Sequence, residues 1–192
     1  KVNIVHNCLD KWIATPVAQK PAVRWEGEDG TTRVVTYAEL HLDVNRCANA
    51  LRALGVQKGD RVALFMPMCP ELIVVFFATI KIGAVILPLF SGYGADAVAA
   101  RLRDAEATLL VTADGVRRRG HIVHMKALAD EAVSSAPSIR HVLVVPRLGL
   151  EIALTPDRDH RWPDLVGRQS DVCETVRTGA DDTLMIIYTS GT

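Results

Sequence analysis

The chain lacks any excess of charge of one sign: its 22 Lys and Arg residues are matched by 22 Asp and Glu. Such a surface sets up no long-range field that would gather nucleic acid or an anionic membrane, so an anion site has to be built locally. Cysteine is scarce and scattered. Cys8, Cys47, Cys69 and Cys173 form no Cys-x-x-Cys pair, which argues against a zinc cluster, a redox dithiol and a secreted disulfide framework, and fits a reducing cytoplasm. Long apolar runs are also lacking. The most apolar stretch, residues 72–80, is followed at once by Lys81, whereas a membrane-spanning helix needs about 20 apolar residues. No signal-peptide pattern, solenoid-length repeat or low-complexity tract is read.

What is present is 192 residues, 49% of them apolar, enough for one packed core without staples. The first residue is Lys1, and Thr192 follows directly on a strand-like run. The expectation is therefore a fragment of something longer.

Periodicity predicts the order of elements. Residues 22–25 and 33–35 flank the turn-rich Glu26-Gly27-Glu28-Asp29-Gly30, a hairpin signal. Thr36-Tyr37-Ala38-Glu39 is a capping-box pattern, after which Leu40, Val44, Ala48 and Leu51 recur at helical spacing until Gly55. Strands are predicted at 61–66, 85–89, 108–111, 141–145 and 184–188. Helices are predicted at 71–82, 96–104 and 125–132. Such alternation predicts an α/β fold, a mostly parallel sheet with helices on both faces and a small N-terminal hairpin. Residues 146–182 read as a polar surface excursion holding one short helix near Trp162, whose ring pins the excursion to the body.

The chemistry is expected at the carboxyl ends of the strands, where ligands bind in open α/β sheets. Tyr188-Thr189-Ser190-Gly191-Thr192 gathers hydroxyls and backbone N–H groups in a turn that glycine lets approach a ligand closely, a composition suited to phosphate oxygens. The same composition is that of an ordinary loop. A second cluster, Arg117-Arg118-Arg119, follows a strand end. Guanidinium forks there can hold phosphate in a bidentate way, and a solvated basic loop explains them equally. Phe90-Ser91-Gly92-Tyr93-Gly94 is an aromatic-bearing turn at another strand end, with strand–helix connection and ligand contact as its two readings. His121 and His124 form a His-x-x-His without Cys or carboxylate partners, so no metal site is expected.

A family resemblance rests on an ordered set of segments. These are Asn7-Cys8-Leu9-Asp10, Thr36-Tyr37-Ala38-Glu39-Leu40, Gly55-Val56-Gln57-Lys58-Gly59-Asp60-Arg61-Val62-Ala63, Met66-Pro67-Met68-Cys69-Pro70-Glu71, Lys81-Ile82-Gly83-Ala84 and the closing Tyr188-Thr189-Ser190-Gly191-Thr192. In order and spacing they resemble the acetyl- and acyl-CoA synthetase branch of the AMP-forming, adenylate-forming ligases. That resemblance implies that residues 1–192 are the N-terminal part of an adenylation domain, cut within the phosphate loop.

It implies that a small carboxylic acid attacks the α-phosphorus of ATP, and that coenzyme A then displaces AMP, with Mg²⁺ offsetting charge. Thr189, Ser190, Gly191 and Thr192 would hold the β- and γ-phosphates, and Arg118 and Arg119 the phosphates of coenzyme A. Arg117 stands where the family often has an aromatic residue, and His121 where it often has Lys or Arg, which leaves the patch less basic at neutral pH. The resemblance places the acyl and adenine pockets and the C-terminal lysine downstream. No catalytic residue is therefore expected within the chain, which is expected to be inactive alone, with a sheet edge through which it self-associates. The alternatives are an adenylation domain of a carrier-protein-loading or luciferase-like enzyme, and a non-catalytic Rossmann-like nucleotide-binding module.

Overall fold

The computed structural model describes residues 3–189. The chain enters through a short helix α1 (Ile4–Cys8) and two 3₁₀ turns (Asp10–Trp12 and Pro16–Gln19). An antiparallel hairpin follows, β1 (Pro21–Glu26) with β2 (Thr32–Thr36). Helix α2 (Tyr37–Ala53) starts because both halves of the predicted capping box form. Thr36 Oγ1 accepts from the Glu39 N–H at 3.2 Å, and Glu39 Oε2 accepts from the Thr36 N–H at 2.8 Å.

The alternating body then runs β3 (Arg61–Phe65), α3 (Pro70–Lys81), β4 (Val85–Leu89), α4 (Ala95–Asp104) and β5 (Leu109–Ala113). A small hairpin, β6 (Val116–Arg118) and β7 (His121–Val123), interrupts it before α5 (Met125–Ser134), β8 (His141–Val145), β9 (Asp159–Arg161) and α6 (Trp162–Val166).

The main sheet has the order β4-β3-β5-β8-β9, and every pair in it is parallel. Side chains alternate across it with period two. Val62, Leu64, Ile86, Leu109, Val111 and Leu143 face a core that includes α2, α3 and α6. Ala63, Phe65, Leu87, Leu110, Val142 and Val144 face a second core shared with α4 and α5. A sheet covered on both sides requires strands apolar at every position, which is how Val62-Ala63-Leu64-Phe65 reads.

Two buried ammonium groups fasten the outlying segments. Lys81, 1% exposed, places Nζ 2.9 Å from Asp10 Oδ1 and 2.7 Å from Thr175 Oγ1, joining α3 to the entry segment and to the excursion. Lys126, 2% exposed, reaches Asp130 at 2.7 Å, Asp159 at 2.8 Å and the Ala153 carbonyl at 3.1 Å. Trp162 packs against the first core, as expected of it.

One expected strand is reduced. Residues 184–188 run alongside β4 but make a single parallel bridge, Met185 with Ile86. The Ile86 N–H donates to the Leu184 carbonyl at 3.0 Å, and the Ile186 N–H to the Ile86 carbonyl at 2.9 Å. The segment lies outside the edge strand, and Ile187 stays 66% exposed, so among the described residues no neighbour on its far side extends the ladder.

Candidate functional site

Strand order decides where a site can form. β3 is the first strand of the main sheet, and its two neighbours, β4 and β5, are the next two in sequence. The chain leaves β3 toward one face and β5 toward the other, so their carboxyl ends part at the switch point of the sheet. Trp25 reaches in from β1 and donates its indole N–H to the Met68 carbonyl at 2.8 Å, and the Arg147 guanidinium lies 4.6 Å from the Trp25 ring. Beside them, the buried carboxylate of Asp114 at the end of β5 accepts the backbone N–H groups of Gly115, Arg147, Leu148 and Leu150 at 2.7–3.1 Å. The loops after β5 and β8 thus share one anchor.

From that anchor springs the β6–β7 hairpin, and the three sequence-predicted arginines stand on it rather than on an irregular loop. Its two-residue turn is Arg119-Gly120, with φ of 48° and 80°. Positive φ at both central positions matches the right-handed twist of the flanking strands. Arg117 and Arg119 are exposed and Arg118 is half-buried. Among the described residues none of the three has a carboxylate partner, whereas Arg33, Arg61, Arg147 and Arg158 are each paired. The hairpin is therefore a locally unneutralised cation, although the chain as a whole is neutral.

Arg118 is also fixed in place. Its guanidinium lies 5.0 Å from the centre of the Phe90 ring in the turn after β4. Its Nη1 fills the space over Gly92, where an added Cβ would stand only 2.1 Å from it. Phe90 in turn meets Tyr93 edge-to-face at 5.6 Å. The structure thus unites Arg118 with the Phe90–Gly94 turn, while Arg119 remains at the hairpin tip.

The segment 184–189 approaches the same turn from the sheet edge. The Tyr188 hydroxyl donates to the Asp104 carboxylate, and the Arg101 guanidinium lies 5.3 Å from the Tyr188 ring and 4.3 Å from the Tyr93 ring. Burial, then the bond to Asp104, pushes the Tyr188 phenol up to about 12, so it stays protonated and donating near neutral pH. Thr189 follows it, exposed. Ser190, Gly191 and Thr192 lie outside the described residues.

Sequence reasoning missed Arg101 and Asp114. The Asp-Gly pair directly after a strand was the available sign of the second, being turn chemistry at a strand end. Nothing local marks Arg101, which reads as a polar residue at the margin of an amphipathic helix. Among the described residues no three His, Cys, Asp or Glu groups converge to hold a metal ion, and no helix is long and apolar enough to cross a membrane. All four cysteines are free. Burial pushes the Cys69 thiol up to about 12, and that of Cys47 higher still, so neither is a nucleophile near neutral pH.

A parallel sheet with helices on both faces and an unpaired guanidinium over an aromatic turn at its carboxyl ends defines an α/β protein suited to anionic, phosphate-bearing ligands. The comparisons narrow this. The AMP-binding enzyme family matches residues 9–192, and the chain belongs to it. The whole chain is 45% identical to the acetyl-coenzyme A synthetase of Streptomyces avermitilis, covering 29% of that protein. It is 42% identical, over all of its length and 29% of the relative's, to the 3-hydroxypropionyl-coenzyme A synthetase of Metallosphaera sedula. It superposes over its full length on the crystal structure of Brucella canis acyl-CoA synthetase, with a TM-score of 0.81, 26% identity and 32% of that chain covered. The chain thus spans about three-tenths of the length of these relatives.

Proposed function

We propose that residues 1–192 are the N-terminal part of the adenylation domain of an acid-thiol ligase. It activates a small carboxylic acid with ATP as the acyl-adenylate and passes the acyl group to coenzyme A. The observation that carries this reading is the unpaired Arg118 held over Phe90 at the carboxyl ends of the sheet, in a chain 45% identical to an acetyl-coenzyme A synthetase. Names of relatives ending in coenzyme A synthetase favour this branch over carrier-protein-loading enzymes and over a non-catalytic nucleotide-binding module.

In this reading Arg118, with Arg119 at the tip of its hairpin, takes the phosphates of coenzyme A. A planar fork matches phosphate oxygens, and half-burial over a ring removes competing water from one side. Thr189, with Ser190, Gly191 and Thr192, holds the β- and γ-phosphates of ATP through hydroxyl and backbone N–H donors. Tyr188 sets where that loop begins by its bond to Asp104. Mg²⁺, when bound to the nucleotide, supplies charge neutralisation, and no described cluster in this chain holds it by itself. The acid is small, the protein is cytoplasmic, and residues 1–192 alone have no ligase activity and self-associate through the edge at 184–188.

The test is a panel of two- to four-carbon acids with ATP and coenzyme A. The full-length protein should release AMP and form a thioester, and the 192-residue chain should do neither. A full-length protein that forms no AMP with any acid of the panel sinks the reading.

A further inference from the structure

We propose that Arg101 is a positioning residue that couples the coenzyme A side of the site to the ATP phosphate loop. The inference rests on the ligase reading above for what the two sides bind.

A continuous series of stacked groups joins the two. The Arg118 guanidinium lies 5.0 Å from the Phe90 ring centre, and Phe90 meets Tyr93 edge-to-face at 5.6 Å. The Arg101 guanidinium then stands between two rings, 4.3 Å from Tyr93 and 5.3 Å from Tyr188. Tyr188, directly before Thr189, is tied to α4 a second time through its hydroxyl on Asp104, three residues beyond Arg101. Helix α4 therefore holds both ends: the ring of the turn after β4 and the ring that opens the phosphate loop.

Arg101 is itself constrained. It donates Nη1 to the Ala97 carbonyl at 2.8 Å one turn back, and it forms no ion pair among the described residues. Its Nε is buried without a hydrogen-bond partner. The guanidinium is thus held by one backbone hydrogen bond and by its two ring contacts, and a flat, delocalised cation serves two faces at once as an ammonium does not. Movement of either ring moves the face that the other one shares. Binding that draws Arg118 or the Phe90 turn inward is thereby transmitted to Tyr188, and a shift of Tyr188 is transmitted back.

The experiment uses the full-length protein with acetate, and reads two reactions separately. Acid-dependent exchange of pyrophosphate into ATP needs no coenzyme A and gives the KM for ATP, while thioester formation gives the KM for coenzyme A. Arg101→Leu should raise both KM values by about fivefold, the size that loss of a partly buried cation–π contact carries, with kcat of the exchange less affected. Arg118→Ala should raise only the KM for coenzyme A. Arg101→Lys, which keeps the charge and the stem, should fail to rescue either value. Should Arg101→Leu not fold, Arg101→Lys carries the test alone. Both KM values within twofold of wild type in a folded Arg101 variant, or full rescue by Lys, overturn the coupling and leave the ligase reading intact. A wild type that shows neither exchange nor thioester formation overturns the ligase reading, and the inference with it.

Discussion

The carboxylate of Asp114, at the end of β5, receives the backbone N–H of Leu150 at 2.9 Å across 36 residues of chain. The same side chain takes the N–H groups of Gly115, Arg147 and Leu148, so one residue anchors both the arginine hairpin and the loop after β8. Asp114→Ala should leave buried donors without an acceptor, each costing on the order of 1–3 kcal/mol. Hydrogen exchange of the amides of Gly115, Arg147, Leu148 and Leu150 should quicken at least tenfold. Unchanged protection there would refute the anchoring role.

Buried Lys81 and half-buried Asp10 form a pair whose pH response has a definite sign. Burial alone would raise the Asp10 carboxyl, but hydrogen bonds from His41, Lys81 and Thr175 outweigh it and hold the group well below its ordinary value of 3.8. A depressed carboxyl contributes stability above its unfolded value and loses it as pH falls through the folded one. Asp10→Asn should therefore lower the thermal midpoint at pH 7, and the gap to wild type should narrow below about pH 4. Lys81→Met at pH 7 should cost about 1–3 kcal/mol, because it removes one of the donors of a half-buried carboxylate that keeps Thr175 and His41. Equal midpoints of wild type and Asp10→Asn at pH 7 would contradict this.

Arg119 separates backbone from ligand effects. Its φ of 48° suits Asn better than Arg, so Arg119→Asn should raise the thermal midpoint slightly or leave it unchanged. Loss of the cation should still raise the KM for coenzyme A severalfold in the full-length protein. An unchanged KM would remove Arg119 from the site and leave Arg118 as the only phosphate contact of the hairpin.

Gly92 is required by proximity rather than by conformation. A Cβ there would meet Arg118 Nη1 at 2.1 Å and Phe90 Cε1 at 2.6 Å. The atoms struck are the ends of side chains at the surface, so Gly92→Ala should change stability by under about 1 kcal/mol. It should dislodge Arg118 from the Phe90 ring and raise the KM for coenzyme A more than it raises the KM for ATP in pyrophosphate exchange. Kinetics identical to wild type would show that Arg118 binds equally well away from the ring.

Much of the fold was legible because its signals are local. Thr36 and Glu39 sit three apart and cap α2, mostly apolar segments of five residues became β3, β4, β5 and β8, and Gly83 closes α3 at φ 76°. Residues 184–188 read as a strand on the same grounds, yet formed one bridge. A run of apolar residues reports the capacity to pair and not the presence of partners on both sides. The arginines were visible as a basic cluster, but not as a hairpin, because Arg-Gly is a weak turn signal beside Asn-Gly or Asp-Gly.

The sequence by itself determined the alternating strands and helices from β3 to α5 and β8, the capping of α2, and that three guanidiniums and a small-residue loop follow strand ends. Only the tertiary structure decided that Arg118 rests on Phe90, that Arg101 stands between Tyr93 and Tyr188, and that Asp114 gathers two loops. Those contacts follow from the order β4-β3-β5-β8-β9 and from the faces on which the crossovers run. Strand order is chosen by the joint burial of whole layers, an energy that no single segment of the chain carries.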